Sequence, residues 1–160
     1  TFSIVGRRPT ATVQRLNQIP GVTVVGEVPD VRDCLAVASA AVVPLRIARG
    51  VQNKVLEAMA VGVPVLASPQ ALTGLEVRPG RDALVAEDAQ QWRDELVRLL
   101  RDKHLRSELS TTGRAYVMRH HSWARQLAPF GEMIASTPET PKTDNCDNAT
   151  AGYAAPVSIG

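Results

Sequence analysis

The sequence has few cysteines, little net charge and no long apolar run, and each shortage excludes a class of protein. Two cysteines, Cys34 and Cys146, in 160 residues indicate neither a disulfide framework nor a metal site, so a reducing compartment is the default. A formal net charge of +2 gives no reason to expect nucleic acid as a partner. No apolar run approaches the ~20 residues that span a bilayer, so no integral membrane segment is predicted.

Several enzyme signatures are also missing. The sequence has neither a P-loop nor a Gly-x-Gly-x-x-Gly fingerprint, and its serine, cysteine and histidine residues show no nucleophile arrangement. His120 and His121 would point apart on a helix and have no third ligand nearby, so a helix boundary is a better interpretation than a metal pair. The sequence begins with neither a methionine nor a signal peptide, and we expect the chain to be a fragment.

The sequence alternates short apolar runs with amphipathic stretches. Strands are predicted at residues 2–6, 22–25, 40–45, 63–67 and 83–85, and helices at 10–18, from Asp30, at 53–61, from Asp88, at 105–118 and at 122–135. This alternation predicts an α/β fold, a Rossmann-like and mostly parallel sheet with helices on both faces. Residues 40–45 are apolar throughout, so we expect that strand to be covered on both faces. The domain is predicted to span residues 1–135, and the polar residues 136–160 are predicted to be a disordered tail.

Residues 44–65 organise the rest of the chain. They are predicted to form the end of a strand, a basic loop, a short helix and the next strand. Gly62 stands where a helix ends in the left-handed conformation, and Pro64 follows as a stop signal. The loop opens at the carboxyl end of a predicted parallel strand, which is where open α/β sheets bind their ligands.

The loop and the helix that follows it carry groups suited to an anion. A helix start offers unpaired N–H groups and a partial positive charge, and Gly50 lets a ligand approach the backbone. Arg46, Arg49 and Lys54 add positive charge, so a phosphate or diphosphate is predicted there. Glu57 would be costly beside a bare phosphate, but it could accept hydrogen bonds from a diol such as ribose. The simpler alternatives are an exposed helical ion pair between Lys54 and Glu57, and a plain turn glycine at Gly50.

At this point the sequence resembles a known family. The run Lys54-Val55-Leu56-Glu57-Ala58-Met59-Ala60, followed by Gly62, Pro64-Val65 and Ala67, resembles the donor-site signature of glycosyltransferase group 1, retaining enzymes of the two-halved GT-B fold. Residues 2–9 resemble the family's "F-x-I-V-G-x-x-P" strand, residues 20–30 the segment before the base pocket, and residues 79–85 its "G-x-x-x-L-V" segment. Residues 44–60 are most similar to bacterial sugar transferases associated with exopolysaccharide and exosortase gene clusters. The resemblance covers residues 2–135 and identifies the chain with the carboxy-terminal, donor-binding half.

The resemblance implies a role for each matched residue. Glu57 matches the second acid of the paired-glutamate motif and is expected to bind the ribose of a nucleotide-sugar. Gly50 and Val51 are expected to present backbone N–H groups to the donor, and the base is expected to pack near Val28 and Pro29. The other implied donor-binding residues are Arg46, Gln52 and Asn53, and Lys54 and Arg49 are assigned catalytic roles at the leaving diphosphate.

The implied reaction is transfer of a sugar, with retention, from a nucleotide-sugar donor to a saccharide or lipid-linked acceptor. No bound metal and no cofactor are expected. A cytoplasmic location is expected, with a peripheral position at the inner face of the membrane as the alternative.

The sequence departs from the family pattern in two places. Arg49 stands eight positions before Glu57, where the family has its first acid, so the donor sugar is expected to be read differently, or Arg49 turns to the phosphates. The family's first and central strand and its acceptor-binding half have no counterpart here, so the chain is not expected to be active alone. The alternative function is a non-catalytic nucleotide-binding module or an inactive remnant that uses the same pocket.

Overall fold

Strands and helices alternate through residues 1–135, which are the residues that the computed structural model describes. The predicted tail, residues 136–160, lies outside them. The strands are β1 (Phe2–Val5), β2 (Val22–Gly26), β3 (Ala41–Val43), β4 (Val65–Ala67) and β5 (Leu84–Val85). The α-helices are α1 (Ala11–Arg15), α2 (Val31–Ala36), α3 (Asn53–Val61), α4 (Ala89–Arg101), α5 (Lys103–His120) and α6 (Trp123–Ala135), with 3₁₀ turns at Leu16–Gln18 and Pro69–Leu72. The predicted α/β class is confirmed.

The strands pair in parallel but form two sheets. β1 pairs with β2, with Phe2 opposite Val22. β3 pairs with β4, and β4 pairs with β5. Within residues 1–135, β1 and β3 are not hydrogen-bonded to each other. The described strands therefore form a two-stranded sheet of β1 and β2 and a three-stranded sheet of β3, β4 and β5.

The core is built on both faces of β4. Successive side chains of a strand point to opposite faces, and β4 shows this directly. Val65 and Ala67 belong to an apolar cluster with Val55 of α3 and Tyr116 of α5. Leu66 belongs to a second cluster with residues of α4 and of the first half of α5. The predicted placement of helices on both faces of the sheet is confirmed around this strand.

One expectation about burial is wrong. The strand predicted at residues 40–45 is β3, and only Val43 of it is buried, whereas Ala41 and Val42 are half-buried. β4 is buried at every position, because it alone in this sheet has a hydrogen-bonded neighbour on each side. β3 also ends earlier than predicted, because the Leu45 N–H donates back to the Val43 carbonyl at 3.1 Å instead of continuing the ladder with β4.

The side chains of residues 1–42 are less buried than those of residues 43–121. No residue before Val43 is fully buried, and Phe2 of β1 is 41% exposed. In contrast, Val55, Leu66 and Leu99 have no exposed surface. Buried apolar area is the main favourable term in folding, so β3 to β5 with α3 to α5 supply most of the stability.

A boundary between two compact units falls within α6, after residue 126. Residues 1–126 form the first unit, which contains β1 to β5 and α1 to α5. In the described residues, no helix combines the length and the apolar character that crossing a bilayer requires.

Candidate functional site

The basic loop between β3 and α3 is fixed at its first residues by Ser68, which follows β4. The Ser68 hydroxyl is buried and donates to the Leu45 carbonyl at 2.7 Å, and the Ser68 N–H donates to the Val43 carbonyl at 3.1 Å. These bonds tie the end of β4 to the start of the loop. The loop therefore leaves the carboxyl edge of the sheet from a defined position.

The first turn of α3 has backbone donors that no side chain caps. Gln52 is the N-cap residue, and its side chain makes no capping bond. Its amide turns back to the loop and donates to the Gly50 carbonyl at 3.0 Å. Gly50 has φ +67°, a conformation that favours glycine, so the turn there needs this residue. The first turn also has no acidic residue, so its partial positive charge is not offset locally.

Three cationic side chains surround this helix start. Arg46, Arg49 and Lys54 are all exposed, and within residues 1–135 none of them forms an ion pair. Glu57 is exposed one turn later and is not paired with Lys54 in the same part of the chain. The helical ion pair that was the simpler interpretation of these two residues is therefore not formed. The charges remain available to a ligand.

The predicted base segment approaches α3 through α2. Asp30 follows Val28 and Pro29, caps α2 by accepting from the Arg32 N–H at 2.8 Å, and also binds the Arg32 guanidinium through both of its oxygens. These hydrogen bonds, side chain first, lower the pKa of the Asp30 carboxyl. The Asp30 carboxylate raises the pKa of Arg32, and the Glu57 charge adds to the effect. α2 packs on α3, the helix that carries Glu57.

The structure brings most of the predicted residues to one region. Gly50, Val51, Gln52, Asn53 and Lys54 are consecutive around the start of α3, and Glu57 is on its next turn. Arg46 and Arg49 stand in the loop before it, and Val28 and Pro29 lead into α2. All of these residues are exposed or half-buried, so a ligand can reach them.

Two contributors to this region were not predicted from the sequence. The sequence around Ser68 does not indicate its hydrogen bond to Leu45, because the two residues are far apart in the chain. Gly74 has φ +81°, and a β-carbon placed there would lie 3.7 Å from the Val51 side chain. The segment around Gly74 thus forms a wall beside the loop. The cluster of Gly and Pro at residues 69–80 indicated irregular structure but not its neighbour.

Comparisons with known proteins agree with this architecture. Residues 1–102 match the family described as "Glycosyl transferases group 1". The chain is similar to the crystal structure of the C-terminal domain of a glycosyl transferase group 1 family protein, LpcC, from Francisella tularensis, with a TM-score of 0.61 and 20% identity over 69% of this chain and 60% of that one. It is also similar to the crystal structure of TarM, with a TM-score of 0.69 and 16% identity over 85% of this chain and 29% of that one.

The structural likeness at this level of identity shows the fold, which is the Rossmann-like α/β fold of these glycosyltransferases. This chain spans about 60% of the length of the LpcC domain structure and 29% of that of TarM. The family match covers well over half of the chain, from its first residue to the end of α4. The chain belongs to the glycosyl transferase group 1 family.

Proposed function

We propose that this chain is the donor-binding part of a retaining glycosyltransferase and that it binds a nucleotide-diphosphate sugar at the start of α3. The observation that carries the proposal is the combination found there. The backbone N–H groups are uncapped by side chains, Arg46, Arg49 and Lys54 are unpaired within the described residues, and no acid lies in the first turn. A diphosphate supplies the negative charge that this arrangement lacks.

In this proposal the loop before α3 and the first turn of α3 hold the diphosphate. The N–H groups of Gly50, Val51 and Asn53 meet the diphosphate, with Gln52 holding the turn that presents them. Arg49 and Lys54 offset the charge that develops on the diphosphate as it leaves, which is where preorganised donors accelerate a transfer most. Arg46 adds to the positive field around the same loop.

The nucleoside half of the donor is assigned to α2 and the second turn of α3. Glu57 accepts hydrogen bonds from the ribose hydroxyls, and its distance from the first turn keeps its charge away from the phosphates. The base packs against Val28 and Pro29. The packing of α2 on α3 supports a common pocket for base and ribose, since it brings the α2 end of that pocket to the helix that carries Glu57.

The acceptor, a saccharide or a lipid-linked saccharide, is assigned to another domain of the whole enzyme. The lack of hydrogen bonds between β1 and β3 in the described residues supports a further strand between them. In the doubly wound order 3-2-1-4-5-6, β2 and β1 would take places 3 and 2, β3 would take place 4, and the further strand would take place 1. We further propose a role in bacterial exopolysaccharide synthesis, carried by the likeness of residues 44–60 to transferases of that kind. Arg49 stands in place of the family's first acid. In this proposal it therefore contacts the donor sugar or the phosphates in a different way from that acid.

The test separates the parts of the donor. The 160-residue chain is titrated with UDP, GDP, uridine and inorganic diphosphate while its backbone amide NMR shifts are followed. Saturable shifts between Gly50 and Glu57 are expected for both nucleotides, with tighter binding of the one whose base the pocket accepts. Lys54→Ala should weaken diphosphate and nucleotide alike, by about tenfold, since it removes a charged hydrogen bond.

Glu57→Ala should weaken the nucleotide and the nucleoside together and leave diphosphate unchanged. Glu108→Ala, an exposed glutamate on α5, is the matched control and should change none of them. Unchanged nucleotide affinity in Glu57→Ala would contradict the assignment of ribose to this residue. Nucleotide binding by a longer chain that contains the acceptor domain, without any sugar transfer, would favour the alternative of a non-catalytic module.

A further inference from the structure

A second concave surface lies away from the start of α3, between the segment of residues 76–82 and the outer side of α5. Its volume is about 260 Å³, and none of the predicted donor-site residues lines it. Arg78, Arg81 and Arg119 stand around it, and Ala115 and Tyr116 form an apolar wall. We call it the arginine pocket.

The backbone around the arginine pocket is held in place by α5. Gly113 packs so closely on the neighbouring loop that a β-carbon there would lie 3.0 Å from the Asp82 carbonyl. The Thr112 hydroxyl is hydrogen-bonded to the Arg81 carbonyl, and the Tyr116 hydroxyl accepts from the Glu76 N–H at 3.0 Å. Both ends of the segment are therefore fixed to one rigid helix. The shape of the pocket is therefore set by the backbone of the fold.

The charges around the pocket are not balanced. Asp82 is 3% exposed and accepts from the Arg78 N–H at 3.0 Å and from its guanidinium at 3.4 Å, so this pair is matched. The guanidinium groups of Arg81 and Arg119 have no acidic partner within residues 1–135. Thr112, which is hydrogen-bonded to the Arg81 carbonyl, marks the place of Arg81 beside α5. Arg119 lies two helical turns further along α5, about 10 Å away. Two arginine side chains that extend toward each other can span that distance. The guanidiniums of Arg81 and Arg119 thus line one cavity without an ion pair in the described residues, and the rim acid Glu76 lies 3.7 Å from the His120 Nδ1.

This arrangement defines a ligand chemistry. Two guanidiniums with planar donor forks suit a dianion, and a phosphate monoester carries nearly two charges at neutral pH. The cavity is larger than a phosphate group, so it has room for an organic remainder. The Thr111 and Thr112 hydroxyl hydrogens are directed to carbonyls of the chain, which leaves their oxygens as acceptors for ligand hydroxyls. Glu76 at the rim is a further acceptor.

We propose that the arginine pocket binds the phosphate monoester of a small polyhydroxy molecule, such as a sugar phosphate, at a site separate from the donor site. Arg81 and Arg119 hold the phosphoryl group from the two sides. Arg78 is kept in place by Asp82, and the wall of Ala115 and Tyr116 packs against the ring of the ligand.

The test is an amide NMR titration of the 160-residue chain in 150 mM salt with glucose 6-phosphate as the probe. Glucose, inorganic phosphate and sulfate are titrated in parallel. Saturable shifts are expected in residues 78–82 and 111–120 with glucose 6-phosphate, weaker ones with inorganic phosphate and none with glucose. Equal affinity for sulfate and for glucose 6-phosphate would overturn the proposal, because the pocket would then bind any dianion. So would an absence of saturable shifts.

Variants locate the site. Arg81→Ala and Arg119→Ala should each weaken the sugar phosphate by about tenfold or more, since each removes a charged hydrogen bond. Arg114→Ala is the matched control, because Arg114 is an exposed arginine of α5 that does not line the pocket. An equal loss in Arg114→Ala would mean diffuse attraction and would overturn the assignment. Glu57→Ala should keep sugar phosphate binding, so the two sites fail or succeed independently.

Discussion

Ser68→Ala should loosen the start of the basic loop while leaving the helices intact. Ser68 donates through its hydroxyl to the Leu45 carbonyl at 2.7 Å and to the Val43 carbonyl at 3.4 Å. Its N–H bond to the Val43 carbonyl is retained in alanine, and the Ala71 N–H keeps the Ser68 carbonyl at 3.0 Å when it loses the hydroxyl at 3.4 Å. The real loss is the 2.7 Å bond to the Leu45 carbonyl. The Leu45 carbonyl then loses this partner at a half-buried position.

The expected loss of stability in Ser68→Ala follows from the lost hydrogen bond to the Leu45 carbonyl. A buried acceptor left unpaired costs about 1–3 kcal/mol, and the half-buried position of Leu45 favours the lower part of that range. We expect about 1–2 kcal/mol lower free energy of unfolding, measured by urea denaturation, and a melting temperature lower by roughly 3–8 °C. Ser39→Ala, at an exposed serine before β3, should change the stability by less than about 0.5 kcal/mol.

A second control separates the loop from global stability. The Ser110 hydroxyl donates to the Gly62 carbonyl at 2.6 Å, at the opposite end of α3 from the loop. Ser110→Ala should therefore lower stability by a similar amount, yet only Ser68→Ala should speed amide hydrogen exchange in residues 45–52. Equal exchange in the two variants, or equal stability of Ser68→Ala and Ser39→Ala, would refute the role given to Ser68.

Two further predictions concern helix ends. Gly62 and Gly80 both have φ near +80°, but a β-carbon at Gly62 would lie 3.3 Å from the Ser110 hydroxyl and one at Gly80 would meet open space. Both alanine variants should be destabilised by about 1 kcal/mol of backbone strain, with Gly62→Ala the worse in thermal unfolding; equal values would exclude a part for the contact. Asp30 has a pKa below its usual 3.8, so its stabilising effect is present above that pH and is lost as the pH falls through the lowered pKa. Unfolding curves of Asp30→Asn and the natural chain should therefore differ near neutral pH and converge in acid, and a constant difference would contradict this account.

Local features of the fold could be predicted from the sequence because their causes are local. Thr10, Asp30 and Asp88 were expected to begin helices, and each caps one in the structure through a side-chain oxygen. The helix at residues 53–61 and its left-handed end at Gly62 are confirmed for the same reason. A cap needs only the three or four residues beside it, and all of them are visible in the sequence.

Non-local contacts could not be predicted, because a single sequence does not show which distant segments meet. Ser68 with Leu45, Gly74 with Val51, and Tyr116 with Glu76 each join residues well apart in the chain. The division into two sheets is of the same kind. Apolar runs indicate strands, but they do not show which strands pair. The roles of the donor-site residues stay predictions. The structure adds their placement and, within residues 1–135, the lack of an ion pair at Arg46, Arg49 and Lys54.

The two parts of the proposed donor site belong to elements that are buried to different extents, so we expect them to contribute differently to binding. The loop that meets the diphosphate is anchored by Ser68 and by α3, whose Val55 and Ala58 have no exposed surface. The base segment, by contrast, belongs to β2 and α2, which contain no fully buried residue. Contacts from a rigid element cost little conformational entropy, whereas contacts from a loosely covered one must offset the cost of ordering it. Phosphate recognition in this chain should therefore be nearly complete, while discrimination between bases should be weak. A strand placed between β1 and β3 would cover those elements, and it would strengthen base selectivity more than diphosphate affinity.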